Sequence, residues 1–334
     1  MTENDREDIF SALERDVKNS SLPEVEKNKM LKNILHLRGL EINIMITGAT
    51  GSGKSSTINA LFDANVAKVG FSVDPETMEI EKYTLQNLIL WDSPGLGDGK
   101  EADNRHAKNI IKKLNEVDRN GNALIDLVLV ILDGSTRDLG TSYELINSVI
   151  IPNLGTNKKD RILVAINQCD VAMKGQHWNH SDNAPDPVLK KFLDDKVQSI
   201  RRRIKEGTGV DIEPIYYSAG YKESEFDKQN PYNLSKLLYY IIQHTPKEKR
   251  LAYMDNVSTN DEMWKDNDDL KDYSKEIQKS FGETVREYAA KGAEYGERFG
   301  EIFGGETGKR IGRVAGGVVG AAAGAVKKFL DWLF

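Results

Sequence analysis

Residues 48 to 55 read Gly48-Ala49-Thr50-Gly51-Ser52-Gly53-Lys54-Ser55. The apolar run Ile42-Asn43-Ile44-Met45-Ile46 precedes them, and the helical pattern Ser56-Thr57-Ile58-Asn59-Ala60-Leu61-Phe62 follows. A Gly-x-x-x-x-Gly-Lys-Ser loop between a strand and a helix is a phosphate cradle at the carboxyl end of a strand in an α/β sheet. The loop amides, aided by the helix dipole, can hold the α- and β-phosphates of a nucleotide. The candidate binding residues here are Gly48, Thr50, Gly51, Ser52, Gly53, Lys54, Ser55 and Ser56. Lys54 can reach the β- and γ-phosphates, and the Ser55 hydroxyl can ligate Mg²⁺.

Three further segments fit this frame in chain order. Leu88-Ile89-Leu90-Trp91 ends in Asp92-Ser93-Pro94-Gly95. A carboxylate at that strand end, Asp92, can reach Mg²⁺ through water, and the Gly95 amide can approach the γ-phosphate. Standing alone, Asp-x-Pro-Gly is an ordinary turn. Next, Arg161-Ile162-Leu163-Val164-Ala165-Ile166 leads into Asn167-Gln168-Cys169-Asp170. Asp170 can accept two hydrogen bonds from the guanine edge, a pair that adenine cannot supply, and such sites discriminate strongly. Last, Ile215-Tyr216-Tyr217 leads into Ser218-Ala219-Gly220.

Asn167-Gln168-Cys169-Asp170 resembles the Asn-Lys-x-Asp signature of translation-factor-type GTPases, with Gln168 where the family has Lys packing over the base. Ser218-Ala219 resembles the family's base-contacting Ser-Ala-Lys loop. The chain resembles the Era-like predicted GTPases of bacteria. In Thr50-Gly51-Ser52-Gly53-Lys54-Ser55-Ser56 it also resembles septin, AIG1-type and immunity-related GTPases. The resemblance implies bound GTP or GDP with Mg²⁺, and GTP hydrolysis. It implies a first-switch threonine at Thr77, in Asp74-Pro75-Glu76-Thr77, that meets Mg²⁺ and the γ-phosphate. Leu96 stands where Ras-like enzymes place a water-orienting Gln, so intrinsic hydrolysis is expected to be slow. Gly51 stands where potassium-activated relatives carry Asn, so potassium activation is not implied. The candidate catalytic set is Lys54, Thr77, Gly95 and Arg137; the candidate metal set is Ser55, Thr77 and, through water, Asp92. Arg137 follows the strand-like run Leu127 to Leu132 and can stabilise phosphate charge in cis or across a dimer; a plain surface arginine is the competing reading.

The chain has 334 residues and a net charge of −6, which argues against a broad nucleic-acid surface, so no DNA partner is expected. Its single cysteine, Cys169, excludes an internal disulfide. The polar, acidic start shows no signal-peptide pattern, and cytosol is the default.

The expected fold is a P-loop NTPase G domain: a mostly parallel sheet with helices on both faces. Strands are expected near 41–47, 78–84, 87–92, 124–132, 161–167 and 213–218. Helices are expected near 54–63, 104–117, 139–150, 186–206 and 233–244. Residues 1–38 read as an N-terminal helical segment with two short helices, the second opened by a Ser21-Leu22-Pro23-Glu24 capping box. Residues 39–245 read as the G domain. Residues 246–270 read as a charged linker with an exposed-looking Trp264 that can anchor on the G domain. His177 and His180 read as part of a solvated loop, without a carboxylate framework for metal.

Residues 271–334 read as a glycine-zipper-like helical region. Glycine recurs at 292, 296, 300, 304, 308, 312, 316, 320 and 324. A flexible linker would not keep that register. Nine glycines disfavour an isolated helix by roughly 9 kcal/mol, and close backbone approach to another helix can offset this. Three readings stay open: an intramolecular hairpin, self-association or membrane insertion, and a partner-dependent tail. Val314 to Val326 makes about 20 Å of helix, too short for a ~30 Å bilayer core. Peripheral contact through Phe329, Leu330, Trp332, Leu333 and Phe334 beside Lys327-Lys328 fits better. Self-association through the G domain or the ladder remains a partner reading.

The function expected is a guanine-nucleotide switch that couples nucleotide state to the C-terminal glycine-repeat region. The alternative is a GTP-triggered membrane-associating or self-assembling effector. A ribosome-assembly GTPase is a weaker alternative, disfavoured by the acidic charge.

Overall fold

A computed structural model describes residues 8–62, 80–95, 99–222, 228–268, 270–291, 302 and 305–313. Thr77, Leu96 and most of the glycine ladder lie outside the described residues; Gly308 and Gly312 lie within them.

Six strands form the central sheet: β1 (Ile42–Gly48), β2 (Glu81–Leu85), β3 (Leu88–Asp92), β4 (Leu127–Asp133), β5 (Ile162–Asn167) and β6 (Ile215–Tyr216). Their order is β2-β3-β1-β4-β5-β6. All pairings are parallel except β2 with β3, an antiparallel edge pair. β1 and β5 are buried at every residue, as strands covered on both faces must be. Alternate side chains then divide between two cores. Ile42, Ile44 and Ile46 of β1 join one cluster, while Met45 joins the other. The expected mostly parallel, two-faced sheet is the observed one.

On the second face lie α4 (Lys100–Leu114), α5 (Gly140–Glu144) and α6 (Pro187–Thr208), which share the Met45 core. The helix expected over 139–150 is α-helical only through Glu144. Leu145–Ile150 continues as a π turn and Ile151–Asn153 as a 3-10 turn. Pro152 has no amide to carry an α ladder onward.

The first face is covered by parts of the chain far apart in sequence. These are α1 (Ile9–Asn19), α2 (Glu24–Arg38), α3 (Lys54–Leu61), α7 (Leu234–Gln243), α8 (Tyr273–Thr284) and α9 (Glu306–Arg313). The capping box at Ser21 does not form. Pro23 is itself the N-cap residue of α2 and Glu24 already lies in the helix, so the box residues are out of register. In this N-terminal segment it is α1 that has a side-chain cap, Asp8, whose Oδ1 accepts from the Ser11 amide at 2.9 Å.

The reading of 246–270 as a linker is also corrected. Lys247–Tyr253 and Asp261–Trp264 are 3-10 turns, and Leu251, Tyr253, Met263 and Trp264 are buried in the first-face core. Trp264 is 7% exposed and donates from Nε1 to the Ser258 carbonyl at 2.9 Å. Acidic residues interleave with this inward set: Asp261 is exposed, while the Asp268 carboxylate is tucked in against Lys236 at 2.7 Å. Ile9, Ile44, Leu251 and Ile277, one from each expected segment, belong to a single apolar cluster.

Of the ladder, α9 packs on α1 and α8. Asp16 of α1 accepts from the Glu306 and Thr307 amides at 3.3 and 2.9 Å and so caps α9 from outside its own chain segment. Gln278 donates to the Gly312 carbonyl at 3.3 Å. Arg310 pairs with Asp255. Among the described residues, no helix is long and apolar enough to cross a membrane.

Candidate nucleotide site

β1 runs into the loop 49–53, and α3 begins at Lys54. Two positions in this loop require glycine. Gly51 and Gly53 hold φ of +77° and +87°, where a side chain is strained. A Cβ on Gly53 would also lie 2.2 Å from Nδ2 of Asn167. Lys54 folds back over the loop, its Nζ 3.4 and 3.2 Å from the Gly48 and Ala49 carbonyls. Ser55 and Ser56 are half-buried on the first turn of α3.

Asp92 closes β3 next to this loop and is 2% exposed. Among the described residues its Oδ1 is buried without a hydrogen-bond partner, as are Ser52 Oγ and Thr47 Oγ1. Burial pushes the Asp92 carboxyl up to about 6, Lys54 pulls it down, and Glu81 raises it further. An unpaired carboxylate oxygen, beside a hydroxyl-bearing turn, is a hard oxygen donor set that suits Mg²⁺ shared with phosphates.

This shift carries a pH signature. The folded chain holds the Asp92 proton more tightly than the unfolded chain, whose carboxyl titrates near 3.8. The resulting stability is full below about pH 4 and is lost as pH rises through about 6, on the order of 3 kcal/mol in all. Without nucleotide, the wild type should therefore lose stability relative to Asp92→Asn between pH 4 and pH 7. Urea unfolding of both proteins across that range checks this; a gap that does not change with pH would overturn it.

Gly95 is pressed against the loop, since a Cβ there would stand 2.2 Å from Thr50 Oγ1 and 2.5 Å from the Thr50 amide nitrogen. Sequence reasoning singled out Gly95 but missed the residue behind it, His106 of α4. The available signal was a polar side chain in the helical stripe of His106, Ile110 and Leu114, all buried.

Asn167, at the end of β5, is the joint of the site. Its Nδ2 donates to the Ser52 carbonyl at 3.0 Å, and its Oδ1 accepts from the Ala219 amide at 3.0 Å. The phosphate loop and the Ser218-Ala219 loop are thus fixed to one side chain. Its backbone carbonyl accepts from the Gly134 amide at 2.7 Å, which adds the loop after β4. A second brace runs in parallel: the Tyr217 and Thr57 hydroxyls lie 2.6 Å apart, and Thr57 donates to the Gly53 carbonyl at 2.8 Å. Gln168 takes a left-handed conformation (φ +60°) and donates from Nε2 to the Gly51 carbonyl at 2.7 Å. Asp170 is 8% exposed, on the turn that follows. Ser218 Oγ accepts from the Gly220 amide at 3.2 Å.

Arg137 is exposed in the loop after β4. That loop is anchored by Lys196 of α6, whose Nζ donates to the Gly134 and Thr136 carbonyls at 2.6 and 2.7 Å. Burial lowers the Lys196 ammonium, and Asp133 opposes this. His177 Nδ1 lies 2.7 Å from Oδ2 of Asp186, the N-cap of α6.

Residues 43–168 match the family model described as 50S ribosome-binding GTPase. The matched stretch is similar to a GTPase domain. It contains the phosphate loop, Asp92, Gly95 and Asn167, and ends at Gln168. The chain is 30% identical to the uncharacterized protein YkfA of Escherichia coli over 157 residues, 46% of this chain and 50% of YkfA. It is 37% identical to human Septin-12 over 78 residues, covering 20% of this chain and 22% of that protein. It is 36% identical to mouse Interferon-inducible GTPase 1 over 77 residues, covering 21% and 18%. The chain spans about half the length of YkfA and about a fifth of the other two.

Proposed function

We propose that the chain is an Era-like guanine-nucleotide switch that uses Mg²⁺ and hydrolyses GTP slowly on its own. The observation that carries this reading is the pair of hydrogen bonds made by the Asn167 side chain. One buried side chain joins the loop suited to phosphates with the loop suited to a base, so a nucleotide bridging them meets a prebuilt frame. Lys54 and the loop amides neutralise the phosphates, Asp170 reads guanine, and Gly95 meets the γ-phosphate. Ser55, Asp92 and Thr77 would hold Mg²⁺, which supplies charge neutralisation across the β- and γ-phosphates. Arg137 adds charge to the same sheet edge. The aliphatic Leu96 cannot hold the attacking water, which supports slow turnover.

Residues 39–245 act as the G domain, and a path from it to the C-terminal region supports coupling. The Ser258 amide donates to the Leu61 carbonyl at 2.8 Å, and Phe62 bridges Val257, so the end of α3 is fixed to the 250s segment. Asp255 in that segment holds the Ile9 amide at 3.0 Å and Arg310 of α9. The packing of α9 favours the intramolecular reading of the ladder over self-association.

Isothermal calorimetry with GTP, GDP and ATP analogues tests the guanine assignment. ATP is expected to bind at least ~100-fold more weakly than GTP, and Asp170→Ala to remove most of that preference. Equal ATP affinity, or an Asp170→Ala variant with wild-type preference, would sink it.

A further inference from the structure

His106 is 2% exposed, and its Nδ1 lies 3.1 Å from the Gly95 carbonyl oxygen. A carbonyl only accepts, so Nδ1 carries the proton in this contact. The ring's Nε2 is buried and, among the described residues, has no hydrogen-bond partner. On its other side Gly95 is wedged against Thr50 of the phosphate loop, with no room for a Cβ. Two residues upstream, the Ser93 amide donates to the Ile46 carbonyl of β1 at 3.0 Å. The short segment from Ser93 to Gly95 is therefore tied at both ends, once to the sheet and once to α4.

We propose that His106 is a positioning residue for Gly95. The imidazole holds Gly95 by its carbonyl beside the phosphate loop, so that the Gly95 amide, on the other side of the same Cα, is already in place for a third phosphate. A buried side chain kept only for packing would serve as well with an apolar ring. A polar ring that spends one nitrogen on the Gly95 carbonyl and leaves the other unpaired fits a positional role better, because the unpaired nitrogen costs stability. This inference rests on the GTP-switch reading above.

Two polar variants test it. The Asn side chain places a donor near the Nδ1 position of histidine, whereas Gln reaches toward Nε2. His106→Asn should keep the wild-type ratio of GTPγS to GDP affinity. His106→Gln should lower that ratio about fivefold, the worth of one ordinary hydrogen bond, with GDP affinity nearly unchanged. Both affinities are read by calorimetry on the full chain with Mg²⁺. A role in packing alone would shift the melting temperature of both variants without moving the ratio. If wild type separates the two nucleotides and the variants share one ratio, wild-type or lowered, the positioning role is overturned and the switch reading stands. If wild type does not separate them, the switch reading fails and takes this inference with it.

Discussion

Asn167→Leu is expected to unfold about 3–5 kcal/mol more easily than the wild type and to bind guanine nucleotide about 100-fold more weakly. The size of the effect follows from what stays behind. Leucine fills the volume but strands the Ser52 carbonyl and the Ala219 amide, both now bonded to Asn167 at 3.0 Å. Each buried group left unpaired costs about 1–3 kcal/mol. Residue 167 is 2% exposed, so water cannot easily replace the lost partners. Affinity falls for a related reason: two loops that were fixed before binding must then be ordered by the ligand. Asn167→Asp separates the two bonds. It keeps the acceptor for Ala219 and sets a carboxylate oxygen against the Ser52 carbonyl. It should therefore damage the phosphate loop and spare the base loop. Urea unfolding with calorimetry checks both variants. An Asn167→Leu protein within ~1 kcal/mol of wild type would show that the frame does not hang on this side chain.

Lys54→Met should behave in the opposite way, with little loss of stability and a large loss of binding. The ammonium sits 3.2 and 3.4 Å from two loop carbonyls, at the long end of hydrogen bonding, and the residue is only half-buried. Removing it should change unfolding by no more than ~1 kcal/mol. Nucleotide binding should fall by about 100-fold or more, because charge-assisted bonds to phosphate are among the strong ones. The same substitution removes the cation that pulls the Asp92 carboxyl down, so that group should rise further. The two variants together distinguish a frame residue from a ligand-facing one. If Lys54→Met destabilised the chain as much as Asn167→Leu, the distinction would fail.

The central sheet was legible in the sequence because buried parallel strands are continuous apolar runs, as in Leu127 to Leu132. The phosphate loop was legible because its glycines have fixed spacing and two of them adopt left-handed conformations. Other features had no such signal. The 246–270 segment hid its inward residues among acidic ones, and its 3-10 turns carry no 3.6-residue period. The capping box matched in letters but not in position, because proline took the cap. Asn167 is legible as part of a base-reading motif, yet its bonds to Ser52 and Ala219 span 115 and 52 residues. Contacts of that range follow from topology and leave no local pattern. His106 and Gly95 are only 11 residues apart, and a polar residue in the apolar stripe of α4 marks the first, but that the two meet follows from how α4 packs back.

The cap that Asp16 places on α9 also sets a timetable for synthesis. Its partner amide lies 290 residues away in sequence. The sheet has its last strand once Tyr216 has been made, roughly 90 residues before the start of α9 emerges. At ~5–20 residues per second that is a wait of about 5–20 s. During it, α1 carries Ile9, Phe10, Leu13 and Val17 without the helix that will later sit beside them. A nascent chain therefore holds a finished nucleotide frame next to an unfinished apolar seat. That interval is when a chaperone, or a neighbouring nascent copy supplying its own α9, has the best access to this face.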